Sequence, residues 1–274
     1  MKLSVRLSGI AVEMVSLRKT PYLVLLLSGL TTLVQAAAQT PVQLSPIRQI
    51  HRGVDAWPLI LNPKNDMQRS INKSLTDLNA KLSQSLRRCH ANYIRQMGNQ
   101  PRSTDNNDEG MGFWKQKIKV TMSGPAFLSL VATTDFDCGG AHPYGYTDAA
   151  VFDLRTGEPA NPIAWLAPSL RASLVEEDNP DHSLERSVSA ARLLEAYREA
   201  RHHECDQTYS DNQPFLIWPD AYSATVVIEA DRLPGCCEAC GVETGLALEQ
   251  AREIGFSEAF LQAISQGHKR LAHR

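Results

Sequence analysis

The residues of this sequence most able to do chemistry are its six cysteines, all lying between Cys89 and Cys240. Cys237-Glu-Ala-Cys240 has the spacing of a thiol–disulfide redox pair, in which a helix N-terminus lowers the pKa of the first thiol. Gly235, Gly241 and Gly245 surround it and discourage such a helix. His202, His203 and Cys205, followed by Cys237 and Cys240, offer imidazole and thiolate to a tetrahedral zinc ion. Structural disulfides account for the same cysteines without a metal, and neither metal nor cofactor is expected. The zinc-deaminase pattern fits His202-His203-Glu204 but needs Pro where Cys236 stands. Adjacent Cys236 and Cys237 should take different partners, because a bond between neighbours is strained. The favoured pairs are Cys89 with Cys138, and Cys205 with one of Cys236, Cys237 and Cys240.

Two further patterns point to hydrolysis and fall short. Ser70-Ile-Asn-Lys73 and Ser210-Asp211-Asn212 match fragments of the serine β-lactamase set, but Arg155-Thr156-Gly157, the nearest third element, precedes Ser210 where it should follow. Ser70 is read as part of a solvated helix start. The most unusual stretch is Asp137-Cys138-Gly139-Gly140-Ala141-His142-Pro143-Tyr144-Gly145-Tyr146. Two glycines and a proline shape a loop around a histidine and two polar-tipped aromatics, which suits recognition. His142, Tyr144, Tyr146 and Asp148 are therefore the ligand-binding candidates. A strand crossover that needs glycine for close approach is the structural alternative.

Some elements must position these residues. Ile71, Leu75, Leu78, Leu82, Leu86 and Tyr93 recur at threes and fours, which predicts one amphipathic helix from Asp66 to about Met97. Gly98 to Gly110 is turn-formers and charge, an exposed loop. The period then drops to two in three runs, Trp114–Met122, Phe127–Ala132 and Tyr146–Leu154, which predicts antiparallel strands. Asp153 to Gly157 reads as a tight turn with Gly157 at positive φ. A second helix is expected over Leu184–Cys205 with Val188, Ala191, Leu194 and Tyr197 inside. Strands follow at Pro214–Pro219 and Ala224–Ala230, and a short helix at Phe256–Ile264. Helices and antiparallel strands in blocks predict an α+β fold: an antiparallel sheet with a long N-terminal helix and a second helix packed on it.

The N-terminus carries Arg18 and Lys19, an apolar run from Tyr22 to Val34, and small residues up to Ala38. That is the pattern of a secretory signal peptide over residues 1–38. The run is too short to span a bilayer and no later stretch is long enough, so no membrane span is expected. Residues 39–65, broken by four prolines, lead into an exported domain at 66–274. Without residues 1–38 the chain keeps 24 basic against 29 acidic side chains, so nucleic acid is not an expected partner. An even cysteine count in an exported chain points to disulfides in a periplasmic or secreted protein.

Val120-Thr-Met-Ser-Gly-Pro-Ala-Phe-Leu-Ser-Leu130, Cys138-Gly-Gly-Ala-His-Pro143 and Val151-Phe-Asp-Leu-Arg-Thr-Gly157 occur in that order. Together they resemble the family called domain of unknown function 3298, from the Asp66 helix to Leu233-Pro234-Gly235. The resemblance implies an extracytoplasmic, non-catalytic module. Similar domains form the lysozyme-sensing ectodomain of an anti-sigma factor and a region beside a peptidoglycan deacetylase domain. This sequence carries neither a sigma-binding part nor a deacetylase domain, so neither activity is carried over. The expected function is an envelope module binding a lysozyme-like protein or cell-wall glycan such as peptidoglycan. The alternatives are a hydrolase or metal-dependent enzyme combining His142 with His202, His203 or Asp148, and a structural secreted protein with no defined ligand.

Overall fold

A computed structural model describes residues 41–97, 113–140, 142–171, 174–178, 186–200, 203–233, 237 and 240–273. The leader expected at 1–38, the loop expected at 98–110, His202 and Cys236 lie outside the described residues.

The long helix, α1, runs from Asp66 to Met97. It buries Ile71, Leu75 and Leu82 on one face, as the spacing of threes and fours predicts. That face meets a five-stranded sheet of β1 (Gln49–His51), β2 (Val54–Asp55), β3 (Trp114–Ser123), β4 (Phe127–Phe136) and β5 (Tyr144–Asp153), in that order. Ile118, Leu128, Leu130, Ala150 and Phe152 face α1. All neighbours are antiparallel except β2 and β3, which pair in parallel at Val54 and Gln116.

Residues 41–65 extend this layer. Asn79 and Asn72 of α1, seven residues apart, each bond both ways to an extended backbone. Trp57 N–H donates to Asn79 Oδ1 at 2.8 Å and Ile60 N–H to Asn72 Oδ1 at 2.7 Å. Each Asn Nδ2 in turn donates to the carbonyl of the same residue. The side-chain amides thus stand in for a neighbouring strand, and Trp57 and Ile60 are buried beneath the helix.

The remaining strands form a second sheet rather than extending the first. Its order is β10 (Thr244–Ala247), β9 (Thr225–Ala230), β8 (Pro214–Asp220), β7 (Arg186–Ser189) and β6 (Val175–Asp178), antiparallel throughout. After their first residues β8 and β9 are wholly buried, so this sheet is covered on both faces. On one face β8 packs against β3, β4 and β5; beyond the short α2 (Pro168–Arg171), the helices α3 (Ala191–Glu199), α4 (Leu248–Ile254) and α5 (Glu258–Ala272) also cover the sheet. Phe127, Trp165 and Phe260 interlock where α5 meets the first sheet, the last two stacked at 4.4 Å. Lys119 Nζ reaches Asp220 Oδ2 at 3.0 Å between the sheets.

The α+β class and the long helix stand as the periodicity predicts. The helix expected over Leu184–Cys205 is shorter. Val188 is a buried strand residue in β7, and the helix proper is Ala191–Glu199, with Leu194 and Tyr197 buried as expected but Ala191 exposed at its first position. Ser187, Val188 and Ser189 pair with β6, and β8 takes up Val188 and Ser189; those sheet pairings outweigh a helical spacing that rests on one valine. The C-terminal helix is longer than expected. Phe256 instead bridges Leu166, between α4 and α5.

Among the described residues, two disulfides join distant segments. Cys89 of α1 is bonded to Cys138 in the β4–β5 loop, and Cys205 to Cys240.

Candidate binding cleft

β5 is an edge strand, and its outer side borders a cleft of about 920 Å³. One wall comes from the first sheet: Lys115, Asp135, Phe136 and the run Pro143–Asp148. The other comes from the second: Leu216, the segment Glu229–Leu233, and Gly241.

Strand alternation divides the first wall between two faces: Lys115 and Asp135 share the face of Lys119 and Val131, toward the second sheet, and the aromatic residues take the opposite one. The register places Trp114 beside Phe136 and Phe136 beside Tyr144, all on the face that carries Ile118 and Leu130 toward α1. At this end of the sheet the rings form a row. Trp114 stacks on Phe136 at 4.9 Å between centroids, Phe136 on Tyr144 at 5.8 Å, and Tyr146 meets Phe136 edge-on at 5.8 Å. The His142 ring lies 4.4 Å from that of Tyr144. Beneath the row a buried polar rung fixes the strands: Thr134 Oγ1 donates to Gln116 Oε1 at 3.2 Å, and Gln116 Nε2 donates to the Asp55 carbonyl at 2.9 Å. Tyr144 is 37% exposed, so the row ends in open surface.

Two features set the loop that opens β5. The Cys89–Cys138 bond ties it to α1. Gly139, at φ +87°, lies so close to the helix that an added Cβ would stand 3.2 Å from Tyr93 Cα.

The second wall rests on different supports. Tyr209 donates its hydroxyl to the Cys240 carbonyl at 2.9 Å, and the Tyr197 hydroxyl accepts from Val242 N–H at 3.0 Å. Gly241 is thereby held between two buried tyrosines and the Cys205–Cys240 bond. Gln213 Nε2 donates to the Asp231 carbonyl at 2.6 Å, and Asp231 pairs with Arg232 at 3.6 Å. Glu229 is a buried acid that follows the apolar run Val226–Ile228 of β9, opposite Leu216.

Of the four sequence candidates, Tyr144, Tyr146 and Asp148 line the cleft. His142 is exposed, with Nδ1 2.9 Å from the Pro143 carbonyl, and rests on Tyr144 outside the lining. Its combination with His202 and His203 falls outside what is described, as does the His203 side chain. The zinc reading of Cys205 and Cys240 is overturned: bonded to each other, they hold no thiolates to ligate a metal. The redox reading of Cys237 and Cys240 fails on the same bond. Among the described residues no group of three His, Cys, Asp or Glu is placed to hold a metal ion. No described helix is long and apolar enough to cross a membrane.

Sequence reasoning missed the whole second wall. Glu229 carried a signal, a lone carboxylate at the end of Thr-Val-Val-Ile-Glu-Ala. Lys115 and Asp135 carried none beyond strand alternation.

The cleft offers aromatic faces for packing and carboxylates, a lysine and an arginine for polar edges, within the size range of ligand sites.

No family model and no curated protein matches the chain. The chain is similar to a solved structure, that of a member of the duf3298 family from Bacteroides fragilis, the family the sequence motifs resemble. The likeness covers 77% of this chain and 86% of that one, at 12% identity and a TM-score of 0.44.

Proposed function

We propose that the protein is an exported binding module of the cell envelope, and that its cleft takes a strand of cell-wall glycan. The observation that carries this reading is the open end of the aromatic row, where Phe136, Tyr144 and Tyr146 also line the edge of a cleft that carries carboxylates. Sugar rings present apolar C–H faces to aromatic rings and hydroxyls to carboxylates, so such a surface can hold a glycan without acting on it. Export is supported by the leader-like residues 1–38 together with two disulfides, which persist in an oxidising compartment.

A lysozyme-like protein is the second reading. Its support is the lining charge: Asp135, Asp148, Glu229 and Asp231 stand against Lys115 and Arg232, which suits a basic partner.

Calorimetric titration with soluble peptidoglycan fragments, and separately with lysozyme, tests both. Binding of the fragments that weakens at least tenfold in Tyr144→Ala is expected. Fragments that release no heat, with lysozyme bound through Tyr144, would replace the first reading by the second. Equal binding of either ligand by wild type and Tyr144→Ala would remove the cleft from both.

A further inference from the structure

The cleft touches both faces of the strands that form its first wall. Lys115 of β3, Asp135 of β4 and Gly145 of β5 stand in register across the sheet, on the face turned toward the second sheet. Phe136, Tyr144 and Tyr146 line the same cleft from the opposite face. A ligand that fills it therefore bends round the β5 edge and meets rings on one side and fixed charges on the other.

The charges are open to a ligand rather than spent on each other. Lys115 and Asp135 are directly opposed, and both are exposed. Facing residues of an antiparallel pair have Cβ atoms about 4.5–5.5 Å apart, close enough for opposite charges to join. These two do not. Among the described residues neither forms an ion pair, and Lys115 Nζ lies 5.3 Å from the centre of the Phe113 ring. The next two lysines on the same face of β3 lie outside the cleft and are paired, Lys117 with Asp55 at 3.7 Å and Lys119 with Asp220 at 3.0 Å.

Gly145 gives access to the open pair. It neighbours Asp135 across the ladder, and a Cβ added to it would stand 3.1 Å from Asp135 Oδ1 and 3.5 Å from the Thr134 carbonyl oxygen. A side chain there would sit between the carboxylate and the outer side of the edge strand. Without one, a chain lying on the Tyr144 and Tyr146 rings can pass over β5 to Asp135 and Lys115.

We infer that the ligand is a glycan carrying a short peptide, with the aromatic rings holding the sugar while Asp135 takes the peptide's ammonium and Lys115 its carboxylate. This rests on the glycan reading of the cleft and narrows it. Neutral sugars offer hydroxyls alone, whereas a peptide that ends in a diamino acid such as lysine carries both charges on one residue, each able to form a charge-assisted hydrogen bond.

The test is calorimetric titration of the whole protein with a soluble peptidoglycan fragment whose peptide ends in lysine, and with the same fragment stripped of its peptide by an amidase. Wild type should bind the intact fragment about tenfold or more tightly, the weight of one charge-assisted hydrogen bond. Asp135→Asn, Lys115→Met and Gly145→Val should each bring the ratio of the two affinities down toward one, and Tyr144→Ala should weaken both ligands. Gly145 keeps ordinary strand geometry, which valine favours, and a cooperative thermal melt checks that each variant folds. Equal affinity of wild type for the two ligands overturns the inference and leaves the glycan reading standing. A preference for the intact fragment that survives all three substitutions overturns the place given to the peptide. Heat from neither ligand overturns the glycan reading, and the inference with it.

Discussion

Strands β3, β4 and β5 are built alike for ten residues each, yet their two ends behave differently. At one end Leu128, Leu130, Ala150 and Phe152 are sealed between α1 and the strand backbones. At the other, the same face carries Trp114, Phe136, Tyr144 and Tyr146, stacked on one another and partly open. Aliphatic side chains fill a closed layer; aromatics with polar tips cover a sheet that runs past its cover, because they tolerate water at one edge. The sealed end should set stability, and the open end should set binding.

The sharpest way to break that contrast is to cut into each end. Phe152→Ala should cost about 3–5 kcal/mol, read by denaturant unfolding, since it empties a fully buried site. A loss below about 1 kcal/mol would show that the sealed end is not the core. Removing the bond at the open end, as Cys89→Ser/Cys138→Ser, should cost about 2–4 kcal/mol in the same measurement and weaken glycan binding as well, because the loop before Tyr144 loses its tie.

Gly157→Ala should cost about 2 kcal/mol or more. Its φ is +77°, and a Cβ there would stand 2.6 Å from the backbone of Met67. A thermal melt within about one degree of wild type would contradict this account of the turn. Tyr144→Ala should leave stability within about 0.5 kcal/mol while reducing binding at least tenfold, the reverse of Phe152→Ala.

The smallest effect concerns acid. Burial works to raise the Asp153 pKa, but hydrogen bonds from Arg155 and from the backbone N–H groups of Arg155 and Thr156 outweigh it and hold the carboxyl below its ordinary value. A carboxyl depressed in the folded state contributes fully above its unfolded value, about 3.9, and loses that contribution as pH falls through the folded value. Wild type should therefore lose slightly more stability than Asp153→Asn on acidification below pH of about 4. With the Arg155 partner largely in water, the difference should stay under about 1 kcal/mol.

Much of the sealed end was legible in sequence. Ile71, Leu75 and Leu82 declare α1 by their spacing, and Leu128 to Leu154 declare strands by alternation. Tyr144 and Tyr146 were legible as candidates because glycine and proline beside aromatics are uncommon in a plain crossover. The second wall was not. Glu229, Asp231 and Gly241 come to the cleft through the packing of one sheet on another, a relation between residues about a hundred positions apart that no local period encodes. The strand at Ser187–Ser189 was hidden likewise, since its partners and not its composition decide its conformation.

The close approaches of Gly157 and Gly139 to α1 have a consequence for how the chain can change. Gly157 meets Met67 near the start of the helix and Gly139 meets Tyr93 near its end, so α1 is gauged at both ends against the two turns that flank β5. One residue inserted between them would turn everything beyond it by about 100° and advance it by about 1.5 Å. Cys89 would swing away from Cys138, and Asn79 or Asn72 would lose the strand each holds. Substitutions along the outer face of α1 are cheap, but its length is fixed to the residue.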